Sequence, residues 1–308
     1  MRDFHNAVPE SLAIRANGID FVCLSLGQGP LVLVLHGFPD RAENFVPLLR
    51  DLAAEGYRAV APYLRGYAPS SMPADGDYSL TALAMDVVAL IDELGAEQAC
   101  VVGHDWGAAV TYAAANLRPD RIRKMVCAAV PNLRRFMLRP SWAQLRRSWY
   151  IFAFQFAGSA ERRLMRNDFE MLAKGIAVAS PGLAFNNAEW WISLKAAFAE
   201  PGRLTAALSY YRGLRRLFGD SEVWRLASSP VSVPARLIYG VRDGAVGRDV
   251  LAPGASVHGR ARRAADGDGP FHADRTTGRV LAAGDRFSAR RLTSRRHRPP
   301  ACDASAVT

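Results

Sequence analysis

The sequence predicts an α/β protein: a mostly parallel sheet flanked by helices, with a smaller all-helical segment inserted late in the chain. Three observations carry this. Short apolar runs at 31–35, 58–61, 99–102, 124–129 and 235–240 alternate with stretches of helical periodicity at 41–55 and 79–94 and with a small-residue helix after 107. That alternation is the pattern of a parallel sheet with right-handed crossovers. From 133 to 228 the strands disappear and aromatic-rich helical stretches take over. The 308 residues, half of them apolar, suffice for one large domain with an insertion.

Residues 9–16 and 19–25 read as two strands joined at Asn17-Gly18, a dipeptide that favours a tight hairpin. A core strand follows at Leu31-Val32-Leu33-Val34-Leu35 and ends in His36-Gly37-Phe38-Pro39. The spacing predicts a helix over 41–55, with Phe45, Leu48, Leu49 and Leu52 on one face and Gly56 ending it. Arg58 to Ala61 is the next strand and leads to the loop Pro62-Tyr63-Leu64-Arg65-Gly66-Tyr67. A second amphipathic helix spans 79–94, its inner face marked by Leu80, Leu83, Val87, Leu90, Ile91 and Leu94.

The most informative stretch comes next. Ala99-Cys100-Val101-Val102 runs into Gly103-His104-Asp105-Trp106-Gly107, and the helix Ala108 to Ala115 runs out of it. A buried strand, a turn tight enough to need glycines and a helix make the geometry of a nucleophile elbow, G-x-S-x-G, with Asp105 in the middle place. The helix N-terminus favours a carboxylate there. An aspartate capping an ordinary helix is the competing account of the same residues. The His36–Pro39 loop weighs against it, because an elbow architecture takes one oxyanion-hole N–H from the residue after the nucleophile and the other from the loop after an earlier core strand. Trp106 and Phe38 hold those positions.

His36-Gly37-Phe38-Pro39, Arg65-Gly66-Tyr67 and Gly103-His104-Asp105-Trp106-Gly107 together resemble the α/β-hydrolases of the epoxide hydrolase and haloalkane dehalogenase group, from about the first strand to about residue 247. The resemblance implies an α/β-hydrolase core (1–132 and 229–247), a helical lid (133–228), and neither cofactor nor metal. It implies an Asp105 nucleophile and Asp243, in Val241-Arg242-Asp243-Gly244 after a late strand, as the acid of the triad. An ordinary turn residue before glycine is the plainer reading of Asp243. The resemblance also implies a small apolar substrate, an epoxide or a haloalkane, in a pocket bordered by His36, Pro39, His104 and Trp149. Two lid tyrosines hold an epoxide oxygen in epoxide hydrolases. Tyr150, before Phe154-Gln155, and Tyr211, in Ser209-Tyr210-Tyr211-Arg212, fall at the matching places. Core packing is the expected role of most other lid aromatics.

Haloalkane dehalogenation is the nearest alternative, with the Trp106 indole as a halide donor, but Phe38 stands where a second halide donor would be asparagine. A fluoroacetate dehalogenase would carry arginine at position 106. A non-catalytic binding protein on the same fold is the alternative from another class, because the C-terminal stretch departs from the family. Residues 248–308 carry twelve Arg, no Lys, six Asp and no Glu. His272, 29 residues after Asp243, is the triad histidine by spacing, with His258 as the other candidate, yet Pro270 stands where a Gly-His-Phe step is expected. This composition is that of an out-of-frame translation of a GC-rich gene, or of a solvated tail, and predicts a poorly ordered end.

The net charge of +10 resides largely in that stretch. No aromatic–basic interleaving or nucleic-acid module accompanies it, so nucleic acid and anionic membrane are set aside as partners. No run of eighteen apolar residues is present, which excludes a membrane-spanning helix. Met1-Arg2-Asp3-Phe4-His5 has no signal-like apolar run. The four cysteines show no paired spacing and read as free thiols. A cytoplasmic location is expected, and assembly as a homodimer stays open.

Overall fold

The computed structural model describes residues 4, 6–134, 141–180, 189–240, 243–247 and 250, and the backbone of a two-stranded ladder at Ala273–Asp274 and Arg279–Val280. His258, His272, Cys302 and most of the Arg-rich stretch lie outside the described residues.

Seven strands form one sheet: β1 (Glu10–Ala16), β2 (Ile19–Leu26), β3 (Leu31–Leu35), β4 (Arg58–Pro62), β5 (Ala99–His104), β6 (Ile122–Ala128) and β7 (Ala235–Ile238). Their spatial order is β1-β2-β4-β3-β5-β6-β7. The β1–β2 hairpin and the β2–β4 pair are antiparallel, and all later pairs are parallel. Asn17 and Gly18 both adopt positive φ, 46° and 74°, the mirror-image turn whose twist matches a hairpin. β2, next to the edge strand β1, alternates buried and open positions, whereas β3 and β5 are buried along their whole length.

Three core helices cover the sheet: α1 (Val46–Ala54), α2 (Leu80–Glu93) and α3 (Trp106–Leu117). The predicted helix over 41–55 divides in two. Ala42–Phe45 is a 3₁₀ turn and α1 begins at Val46. Pro47 explains the break: it lacks an N–H, suits the first helical turn, and restricts the residue before it. Ser79 caps α2, its side chain accepting the Ala82 N–H at 3.2 Å.

Between β6 and β7 the regular elements among the described residues are helical: α4 (Trp142–Arg147), α5 (Trp149–Ala153), α6 (Ser159–Ala179), α7 (Glu189–Ala199), α8 (Arg203–Gly213), a 3₁₀ turn (Leu214–Phe218) and α9 (Ser221–Ser228). Helix α6 is interrupted at 166–169, where Asn167, Asp168 and Phe169 turn left-handed. Phe154, Trp191, Phe198 and Tyr210 join the core as expected and Tyr211 is buried among them, but Phe152, Phe156 and Phe218 face outward, against the expectation of core packing. Cys23, Cys100 and Cys127 are free and buried in β2, β5 and β6. No described helix is long and apolar enough to cross a membrane.

Candidate active site

Strand β5 delivers Asp105 at a turn with φ 52° and ψ −116°, a conformation that L-residues seldom adopt, and α3 starts on the next residue. The flanking glycines are required by close approach. A Cβ on Gly103 would lie 2.3 Å from the Gly107 carbonyl oxygen, and one on Gly107 would lie 2.2 Å from that of Leu35. The loop after β3 closes just as tightly: a Cβ on Gly37 would come within 2.5 Å of Asp105 Cβ and Oδ1. With no side chain there, the Phe38 N–H donates to Asp105 Oδ1 at 2.8 Å. Burial pushes the Asp105 pKa up. His104 and the N–H groups of Phe38 and Trp106 pull the other way, since each favours the carboxylate. The Phe38 N–H, one of the two singled out in the sequence, therefore reaches the half-buried Asp105.

Asp243 lies beyond β7 and is buried. Its Oδ1 accepts the N–H groups of Ala245 (2.8 Å) and Val246 (3.0 Å), while Oδ2 has no hydrogen-bond partner among the described residues. Burial raises its pKa to about 6, against the pull of those two N–H groups. His104 stands with Nδ1 3.7 Å from Asp40 Oδ2. Burial lowers the pKa of this ring, but Asp40 first, then Asp105 and Asp243, outweigh it and raise the net value. Asp40 is a site residue that motif reading missed. The only local signal was its place directly after Pro39.

Aromatic rings from the helical segment roof the elbow. Tyr211 packs edge-on against Trp106 (centroids 5.1 Å), Phe154 (5.1 Å), Phe38 (5.5 Å) and Tyr150 (5.9 Å). Burial, with Asp105 next, raises the pKa of both Tyr150 and Tyr211, keeping both phenols protonated. The neighbouring Tyr210 instead donates to the Arg65 carbonyl oxygen at 2.8 Å. Adjacent tyrosines on α8 thus have different tasks.

Two expected pocket residues are placed elsewhere. Trp149 is more than half exposed: α5 turns Tyr150 and Phe154, four apart, inward and Trp149 outward. His36 is fully buried, with Nδ1 3.0 Å from the Gly37 carbonyl oxygen and Nε2 accepting the Leu64 N–H at 3.0 Å. Those partners fix a neutral tautomer, and burial lowers its pKa further. His36 ties the β3 loop to the loop after β4, and both its nitrogens are occupied by backbone. Pro39 is buried beside Phe38. Arg65 forms a bidentate buried pair with Asp86 (2.6 and 2.8 Å), which accounts for that motif structurally.

Another missed residue joins the helical segment to the acid loop. Gln144 of α4 accepts the Gly247 N–H at 2.7 Å and donates to the Ala245 carbonyl oxygen at 2.9 Å. From the other side, the Gly244 N–H donates to the Ala179 carbonyl oxygen at 3.1 Å. The segment carrying Asp243 is held between α4 and the C-terminal end of α6.

A parallel-sheet core with an aspartate at a strand-to-helix elbow defines a hydrolase of the α/β class. The alpha/beta hydrolase fold family matches residues 30–172. An AB hydrolase superfamily protein of Bacillus subtilis is 34% identical over 240 residues, 75% of this chain and 80% of that protein. Epoxide hydrolase 3 of Siraitia grosvenorii is 32% identical over 259 residues, 76% of this chain and 81% of that protein. A crystal structure of an epoxide hydrolase from Vigna radiata superimposes with a TM-score of 0.71 at 30% identity, covering 86% of this chain and 93% of that one. The chain belongs to the α/β-hydrolase fold family, among its epoxide hydrolase-like enzymes.

Proposed function

We propose that the chain hydrolyses a small apolar epoxide to a vicinal diol through an ester on Asp105. The observation that carries this reading is the 2.8 Å bond from the Phe38 N–H to Asp105 Oδ1, beneath a Tyr150–Tyr211 pair roofing the elbow. With Oδ1 held by the oxyanion-hole donor, Oδ2 is the attacking oxygen. It bonds to an epoxide carbon as the ring C–O bond breaks, and the released alkoxide takes a proton from Tyr211 or Tyr150. A carboxylate needs no general base for this step. Water then adds to the ester carbonyl carbon, and the resulting oxyanion rests on the Phe38 and Trp106 N–H groups. The unpartnered Oδ2 of Asp243 suits the N–H of the histidine that deprotonates this water. His272, the candidate for that role by spacing, lies outside the described residues.

Phe38, standing where a haloalkane dehalogenase would need a second halide donor, and the Tyr150–Tyr211 pair over the elbow favour epoxides over haloalkanes. The segment 133–228 serves as the lid, and its aromatic inner face suits an apolar substrate. The test is intact mass after mixing with a small aryl epoxide, with diol assayed in parallel. Diol from the wild type, with neither adduct nor diol from Asp105→Asn, is expected. Diol from Asp105→Asn at the wild-type rate would overturn the reading.

A further inference from the structure

Against the expectation drawn from the charge of the Arg-rich end, we infer that the outer face of the lid docks on an anionic lipid bilayer. Five large apolar side chains lie on helices α4 and α5 and just beyond: Trp142, Leu145, Trp149, Phe152 and Phe156, exposed by 84, 37, 55, 63 and 69%. Their spacing of three, four, three and four places them on one face of a helical path. The opposite face turns Gln144, Ser148 and Phe154 into the protein. Single exposed apolar residues are ordinary, but an aligned stripe of aromatics marks a contact surface.

Charge decides the occupant. Residues 141–158 contain Arg146 and Arg147, both exposed, and no Asp or Glu. Arg215, also exposed, bonds the side-chain oxygen (2.8 Å) and carbonyl oxygen (3.0 Å) of Gln155, so a third guanidinium stands next to Phe156. A second copy seated symmetrically on this face would set arginines against arginines with no local carboxylate to answer them. Anionic headgroups do answer them, while tryptophan and phenylalanine rings settle at the boundary of headgroups and acyl chains. The short helices would lie in the plane of the interface. Docking stands apart from the proposed chemistry. If that chemistry holds, α5 presents Tyr150 to the pocket and Trp149 and Phe152 to the lipid, so an apolar epoxide dissolved in the bilayer has one helix to pass.

The test is co-sedimentation of the full chain with phosphatidylcholine vesicles, with and without phosphatidylglycerol. Binding is expected only where phosphatidylglycerol is present. It should weaken roughly 30-fold in Arg146→Gln/Arg147→Gln, from about fivefold per basic residue. It should be lost in about 1 M salt, where the screening length is about 3 Å. Phe152→Ser/Phe156→Ser should lose binding with an unchanged circular dichroism spectrum and melting point, which separates lost docking from lost fold. Failure to bind anionic vesicles, or binding that ignores both pairs of substitutions, would overturn the proposal. A concentration-dependent dimer that Phe152→Ser/Phe156→Ser dissolves would also overturn it, assigning the stripe to a second copy.

Discussion

Replacing Asp243 with asparagine should change the pH dependence of stability in a defined direction. Oδ1 accepts two backbone N–H groups, a task an amide oxygen can keep, whereas Oδ2 is buried without a partner among the described residues. Burial moves the carboxyl from 3.8 to about 6. An acid with a raised folded-state pKa binds its proton more tightly in the native chain than in the unfolded one. Its contribution to stability is therefore intact below pH 4 and is lost as pH rises from 4 towards 6 and beyond. A shift of about two units corresponds to about 3 kcal/mol at full ionisation. Asparagine does not titrate, and the donors it would bury cost a pH-independent ~1–3 kcal/mol. The stability of Asp243→Asn relative to wild type should therefore improve by about 3 kcal/mol between pH 4 and pH 7.5. Urea unfolding of both proteins across that range measures it, and the difference cancels the other carboxylates. A flat difference, or one of opposite slope, would refute the reasoning for a bare Oδ2 and is the result expected where the histidine of the proposed triad already donates to it.

Gly37→Ala would set a Cβ 2.5 Å from Asp105 and displace its carboxylate from the Phe38 N–H. Adduct formation, followed by rapid-quench mass spectrometry, should slow by about 10²–10³, the usual effect of losing one oxyanion donor. Tyr211→Phe should slow ring opening by about 10² or more, whereas Tyr210→Phe should cost about 1 kcal/mol of stability and leave ring opening unchanged. Gln144→Ala should cost about 1–3 kcal/mol and slow ester hydrolysis more than ester formation, because it frees the Asp243 segment and leaves Asp105 in place. Single-turnover assays with diol quantification separate the two steps.

Much of the core was legible because its signals are local. Asn17-Gly18 declared a hairpin since both residues accept positive φ. Gly103 and Gly107 announced the elbow because no larger residue fits between β5, α3 and the β3 loop. The place of Phe38 followed from that architecture, and its N–H donates to Asp105 Oδ1. Pro47, in contrast, divides the stretch over 41–55 that apolar spacing alone predicts as one helix.

The sequence by itself determined the order of strands along the chain and the strand–turn–helix elbow, because each depends on neighbours a few residues apart. Only the tertiary structure decided which lid aromatics face the site. Trp149, Tyr150, Phe152 and Phe154 make both faces of one helix aromatic, so periodicity is silent about which face is buried. The same holds for Asp40 against His104, Arg65 against Asp86, and Gln144 against Gly247. These partners are brought together by packing across the sheet and the lid. No local spacing rule encodes a contact between residues that only the folded chain makes neighbours.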